Sequence, residues 1–253
     1  MSDSPNKPGG WNAVPVQSLR RFGEFVALTD TEMAEVRGLA CKPVALSRGV
    51  VIRAQGVEPT CVYLLIEGWA SASVDLDGGT RQITKVHLPG DLMGTPSMSL
   101  TETADTLTAL TPVVVAQLPL DRFAHLFAAS PRFAMAMFLS AQRERVALMD
   151  SLTRIGRTSS LERMGGLLLD LHERLSAAGL AKADRFDLPL RQHEIADVLG
   201  ITIVHVNRIF KRLEKDGMIR RHRQQIEIVD KKALARLAHW THRQIATALS
   251  WMV

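Results

Sequence analysis

The sequence predicts an α+β fold. A β-rich N-terminal half is joined by one long helix to a small C-terminal domain of helix, turn, helix and β-hairpin. Three observations predict it. Short β-branched runs separated by glycine turns recur between Pro43 and Leu118. An apolar stripe at helical spacing then runs from Phe133 to near Ile155. Gln192 to Ile219 reads as two short amphipathic helices around Gly200, the second of them basic.

The chain opens on MSDSPNKPGGWNAVP, rich in Pro, Gly and Ser, so residues 1–17 are expected to be a disordered tail. It has no apolar core of the kind a signal peptide needs. Short helices are expected from Val16 to Ala40, with Thr29-Asp30 as a cap before Met33, Val36 and Leu39. Residues 18–130 form the expected β domain. Its strands are Val50–Ile52, Val62–Ile66, Ala70–Val74, Ile83–Leu88, Leu107–Leu110 and Val113–Leu118. The turns are Glu67-Gly68, Asp77-Gly78-Gly79, Pro89-Gly90-Asp91 and Thr111-Pro112. Short strands at this spacing predict a sandwich or barrel.

The long helix covers 131–157. Pro131 fits its first turn, behind Ser130 as N-cap. Its stripe of Phe133, Met137, Ser140/Ala141, Ala147/Leu148 and Leu152 can pack on its own β domain. A helix this long at a domain boundary has a face left over, which a second copy would bury. Phe133, Met137, Leu148 and Leu152 are therefore the expected dimer contacts. Residues 158–253 form the last domain. A helix over about 159–177 carries Leu161, Met164, Leu168, Leu171 and Leu175, and 179–187 reads as a polar link. After Asp230 a further helix carries Leu234, Leu237, Trp240 and Ile245, with Trp240 expected to pack rather than bind.

In the pair of short helices, Ile195, Val198 and Leu199 share one face of the first. Gly200 supplies a turn that tolerates positive φ, and Thr202 sits where an N-cap belongs. Val206, Ile209, Phe210 and Leu213 face inward in the second helix, leaving Ile203, Val204, His205, Asn207, Arg208, Lys211 and Arg212 outside. Two β-like runs around a polar turn follow, with Arg220, Arg221 and Arg223 along them. That is a wing. An ordinary helical hairpin with a solvated basic face is the plainer alternative. Helix, turn and basic helix is nonetheless the arrangement that sets side chains in a DNA major groove.

Charge distribution agrees. Residues 156–253 hold 17 Lys and Arg against 11 Asp and Glu, whereas 1–155 hold 14 against 15. The excess of the whole chain, +5, thus lies in the half with the helix-turn-helix, where it attracts a polyanion.

The segment LPLRQHEIADVLGITIVHVNRIFKRLEKDGMI resembles the winged helix-turn-helix of the Crp/Fnr transcription regulators. Upstream, Gly49, Gly56, Tyr63, Gly68, Pro89-Gly90-Asp91 and Gly94 resemble the glycine pattern of that family's β-roll. Ile155-Gly156-Arg157, Glu162-Arg163 and Leu167-Leu168 resemble its junction after the dimer helix. The similarity runs from about Phe22 to Leu237. It narrows the β domain to a jelly-roll-like sensory β-roll, makes 131–157 the dimerisation helix, and implies a homodimer on palindromic double-stranded DNA. An activator of this kind would also touch RNA polymerase.

Roles within the helix-turn-helix follow from chemistry. Arg208 offers two parallel hydrogen bonds to guanine, and its match to the family's arginine carries that role over. His205 and Asn207 offer polar base contacts, and Val204 offers contact with a thymine methyl. Well-known members carry Glu where this chain has Val204, so the preferred half-site should differ at that base pair. Gln192, His193, Thr202, Lys211, Arg220 and Arg221 are expected on phosphates.

The sensory half matches less well. Nucleotide-binding members carry Gly-Glu and then Arg-Ser around the phosphate. Here Gly94 is followed by Thr95-Pro96, and Ala104-Asp105-Thr106 stands in place of Arg-Ser. No Arg or Lys lies between Lys85 and Arg122, and Glu102 and Asp105 repel a phosphate. The N-terminal cysteine cluster of an iron–sulfur member is absent. Nothing in the spacing of His87, Cys61 and Met93 supports haem ligation. No cofactor is expected, and the effector is open. There is no HExxH, P-loop, GxSxG or CxxC, so no enzyme is expected. No apolar run is long enough for a membrane span, and two cysteines, Cys41 and Cys61, suit a reducing cytoplasm. Two other readings remain: a cyclic-nucleotide-responsive regulator with an atypical phosphate site, and an interaction module whose winged helix binds protein.

Overall fold

The computed structural model describes Val14 and residues 24–243. The other residues of the expected tail, the start of the helices expected from Val16, and Ile245 lie outside these. Val14 itself is buried in a hydrophobic core, so at that residue the expected disordered tail is packed instead. The described chain forms two compact units. One comprises Val14, 24–70 and 89–140; the other comprises 71–88 and 141–243.

In the first unit, helix α1 (Asp30–Leu39) starts at the expected cap. Thr29 Oγ1 accepts from Glu32 N, and the Glu32 carboxylate accepts from Thr29 N at 2.8 Å. Strands β1 (Val44–Leu46), β8 (Val113–Pro119), β3 (Cys61–Glu67) and β6 (Leu92–Met93) lie in that order in one antiparallel sheet. Leu64 faces Ala116 and Val62 faces Leu118 in its centre. Strand β2 (Val51–Arg53) pairs antiparallel with β7 (Thr106–Ala109). Gly68 is required at its turn: its φ is +80°, and a Cβ there would lie 2.2 Å from the Pro112 carbonyl oxygen.

Helix α2 (Leu120–Ala129), which sequence patterning does not predict, buries Phe123 and Leu126. The long helix α3 (Pro131–Arg157) follows, with Ser130 Oγ accepting from Phe133 N at 3.2 Å as the N-cap reading requires. Phe123, Phe127 and Phe133 pack as a trio with centroids 5.0–5.7 Å apart. They close a core with Val36, Val62, Leu64, Ile66, Ala116 and Leu118. Phe133 is fully buried there. This corrects its expected place at the dimer contact: its surface is already spent inside the chain.

The second unit holds neighbouring strands β4 (Ala70–Leu76) and β5 (Thr80–His87), the last half of α3, and helix α4 (Ser160–Ala177). A capping box between Ser159 and Glu162 starts α4. Strand β9 (Arg185–Asp187) comes next, in a stretch that reads from sequence as a polar link. Its Phe186 is buried opposite Ile226. Helices α5 (Gln192–Leu199) and α6 (Ile203–Lys215), strands β10 (Ile219–His222) and β11 (Gln225–Ile228), and helix α7 (Lys231–Leu237) complete the unit. The small sheet runs β10-β11-β9.

The residues after α7 fold back. Arg243 makes two hydrogen bonds to Asp150 on α3, at 2.7 and 2.6 Å, which hold the Asp150 carboxyl below the usual carboxylate range. Trp240 donates to Glu173 on α4 at 2.9 Å and lies under the Arg154 guanidinium, 5.4 Å from its ring centroid. Trp240 is thus a packing residue.

Candidate nucleic-acid interface

Gly200 has φ 64° and ψ 44°, the left-handed conformation that a residue without Cβ tolerates. This lets α6 start soon after α5 ends. Thr202 is the N-cap of α6, its hydroxyl accepting from His205 N at 3.4 Å. Ile195 and Leu199 of α5 and Val206, Ile209, Phe210 and Leu213 of α6 are buried. The pair is therefore firmly seated, and the opposite face of α6 is free. Strand β5 braces α5 from behind: Arg81 holds Asp197 at 2.6 and 3.0 Å, and Gln82 Nε2 donates to the Val198 carbonyl at 3.1 Å.

The expected base readers differ in how free they are. Val204 is 60% exposed. Arg208 is exposed and has no hydrogen bond or ion pair among the described residues. His205 is tied back to α4, its Nε2 2.8 Å from Ser160 Oγ. Asn207 is tied to α5. Its Nδ2 donates to Gln192 Oε1 at 2.8 Å, and Gln192 Nε2 donates to Asn207 Oδ1 at 2.9 Å.

The expected phosphate contacts divide likewise. His193 and Lys211 are exposed without partners among the described residues. Thr202 uses its hydroxyl in the cap. Arg220 leans on Glu227 at 3.6 Å, and Arg185 bonds the same carboxylate at 2.9 Å, holding the Glu227 carboxyl below the usual range. Arg221 is turned inward: it pairs with Glu214 at 3.0 Å, and its guanidinium lies 4.4 Å from the Phe210 ring centroid. It braces the wing against α6. The wing's tip instead presents Arg223, exposed at φ 57°.

On α3, Met137 is partly buried against the first unit's core, while Leu148 and Leu152 are exposed at 56% and 72%. The free stripe is Phe138, Ala141, Leu148, Leu152 and Ile155, at alternating heptad spacing with Arg145 between.

Residues 162–237 match the Crp-like helix-turn-helix domain, and residues 43–130 match the cyclic nucleotide-binding domain. The nitrogen fixation regulation protein FixK of Bradyrhizobium diazoefficiens is 32% identical over 225 residues, covering 87% of this chain and 92% of its own. The chain belongs to the Crp/Fnr family of transcription regulators. The transcriptional activator protein FnrA of Stutzerimonas stutzeri is 28% identical over 193 residues, or 76% of this chain and 79% of that one. The structure of FixK2 from Bradyrhizobium japonicum shares the fold, with a TM-score of 0.73 at 23% identity over 80% of this chain and 99% of that one.

As a Crp/Fnr chain it carries the nucleotide-binding fold, but its residues do not fit a cyclic phosphodiester. The two segments that would flank the phosphate do meet. A Cβ on Gly94 would lie 2.5 Å from Arg53 Nη1, and Asp105 pairs with the same guanidinium. Arg53, on β2, is the cation that sequence spacing hides. Its side chain and that of Asp105 are only 5% and 12% exposed. Arg53 Nη2 also donates to the Asp105 carbonyl at 3.2 Å, and Ser97 Oγ donates to the Asp105 carboxylate at 3.4 Å. The positive charge is thus cancelled from within, where an incoming phosphate would meet a carboxylate. His239 and His242 have metal-like spacing in sequence but turn to different partners, Glu162 and Glu173. No helix among the described residues is long and apolar enough to cross a membrane.

Proposed function

We propose that this regulator works as a cytoplasmic homodimer, setting two copies of α6 in successive major-groove turns of a palindromic site, about 34 Å apart. It acts by binding rather than catalysis. The observation that carries the reading is the state of α6: capped, seated on a buried face, and presenting Arg208 and Lys211 without partners among the described residues. The free heptad stripe on α3 supports pairing through that helix. An activating role would add a contact with RNA polymerase.

Arg208 lies early in α6, where a recognition helix meets base edges, and Lys211 lies nearly a turn later, where it nears the backbone. Arg208→Ala is expected to lose discrimination at one base pair per half-site, about 1–3 kcal/mol per contact. Lys211→Ala is expected to weaken all sequences alike and make the salt slope shallower by about one for each phosphate it no longer neutralises. Sites selected from a randomised library decide it. Unchanged preference at every position in the Arg208→Ala protein would make Arg208 a phosphate clamp.

We further propose that cyclic AMP and cyclic GMP are not its effectors, because the Arg53 charge is already matched by Asp105. Calorimetry is expected to give no saturable heat at micromolar nucleotide. Stoichiometric binding would show that the internal pair opens to admit a phosphate.

A further inference from the structure

We propose that Gln192 and Asn207 read one base pair together, as a composite amide rather than as a phosphate contact and a separate base contact. The proposal rests on the DNA-binding reading above. A carboxamide has two N–H donors and two acceptor lone pairs. In the closed pair each side chain gives one N–H and one lone pair to the other, at 2.8 and 2.9 Å. Each keeps one N–H and one lone pair. The pair thereby offers a donor and an acceptor side by side on an exposed surface. Adenine presents the complement in the major groove, an N7 acceptor beside an N6 donor. Arg208, offering only donors, suits guanine.

Position supports this more than composition does. Asn207 precedes Arg208 on α6, and Gln192 of α5 is hydrogen-bonded to it, which ties Gln192 to the base-reading helix. Gln192 is also neutral, so it releases no counterion on binding. Val204 is apolar, and His205 is engaged with Ser160. The amide pair beside Arg208 would thus discriminate an A·T pair close to a G·C pair.

The test compares binding sites selected by the wild type, Gln192→Ala, Asn207→Ala, the double alanine variant, and an exchange variant carrying Gln192→Asn with Asn207→Gln. Both single alanine variants are expected to lose preference at the same A·T position, by about tenfold. The double alanine variant should be no worse than either single one. The exchange variant, which keeps the paired amides, should retain the preference, and the salt slope should not change. The proposal is overturned if Gln192→Ala keeps every preference, if it makes the salt slope shallower, or if the two residues govern different base pairs additively. A wild type that selects no sequence at all would instead defeat the DNA-binding reading.

Discussion

Asp105→Ala is expected to destabilise the β-rich unit by about 3–5 kcal/mol, as when one partner of a buried ion pair is removed. The Asp105 carboxylate is the partner of Arg53 Nη2, and Arg53 Nε and Nη1 already lack hydrogen-bond partners among the described residues. Without the carboxylate the guanidinium keeps only the backbone carbonyl, on a side chain 5% exposed and too enclosed for solvent to take over. Replacing both partners with apolar residues of similar shape, Arg53→Met with Asp105→Leu, should cost far less, because no charge is then stranded. Urea unfolding followed by far-UV circular dichroism measures both variants. A loss below about 1 kcal/mol for Asp105→Ala, the scale of an exposed pair, would mean that solvent reaches the site.

Leu148→Glu is expected to abolish dimerisation, giving monomers by sedimentation at micromolar concentration. Leu148 lies in the middle of the free stripe, and an unpaired carboxylate in an apolar interface loses its hydration without gaining a partner. The folding of each protomer should be nearly unaffected, because Leu148 is 56% exposed within the chain. Phe133→Ala supplies the contrast. It should lower unfolding stability by about 3–5 kcal/mol through the cavity it leaves, and leave self-association at the stripe intact. A Leu148→Glu protein that remained dimeric would move the interface to another face.

The two variants also show what the sequence can and cannot reveal. Helical spacing puts Phe133 and Leu148 on one stripe, but spacing along a helix does not say which neighbour buries it. The first two turns of α3 pack on the Phe123 and Phe127 rings of α2, a helix hidden between Pro119 and Pro131. The helix-turn-helix is legible because its signals are local: a left-handed glycine, a hydroxyl cap and an inward face within a few turns. Arg53 and Asp105 lie 52 residues apart, and only the pairing of β2 with β7 brings them together. Strand β9 has three residues, too few to show alternation. Arg221 and Arg223 look alike in sequence. Strand register turns the first onto Phe210 and leaves the second at the hairpin's tip.

The clasp between Asp150 and Arg243 joins residues 93 positions apart. The two ends of the segment between them, which runs from the end of α3 through the winged helix and α7, are therefore held together. For protein engineering this makes 150–243 a cassette with adjacent ends. Exchanging such a segment between related chains is expected to leave the course of α3 unchanged. The Arg81–Asp197 pair on β5 is a lateral attachment that a donor sequence would have to keep or replace as a matched set.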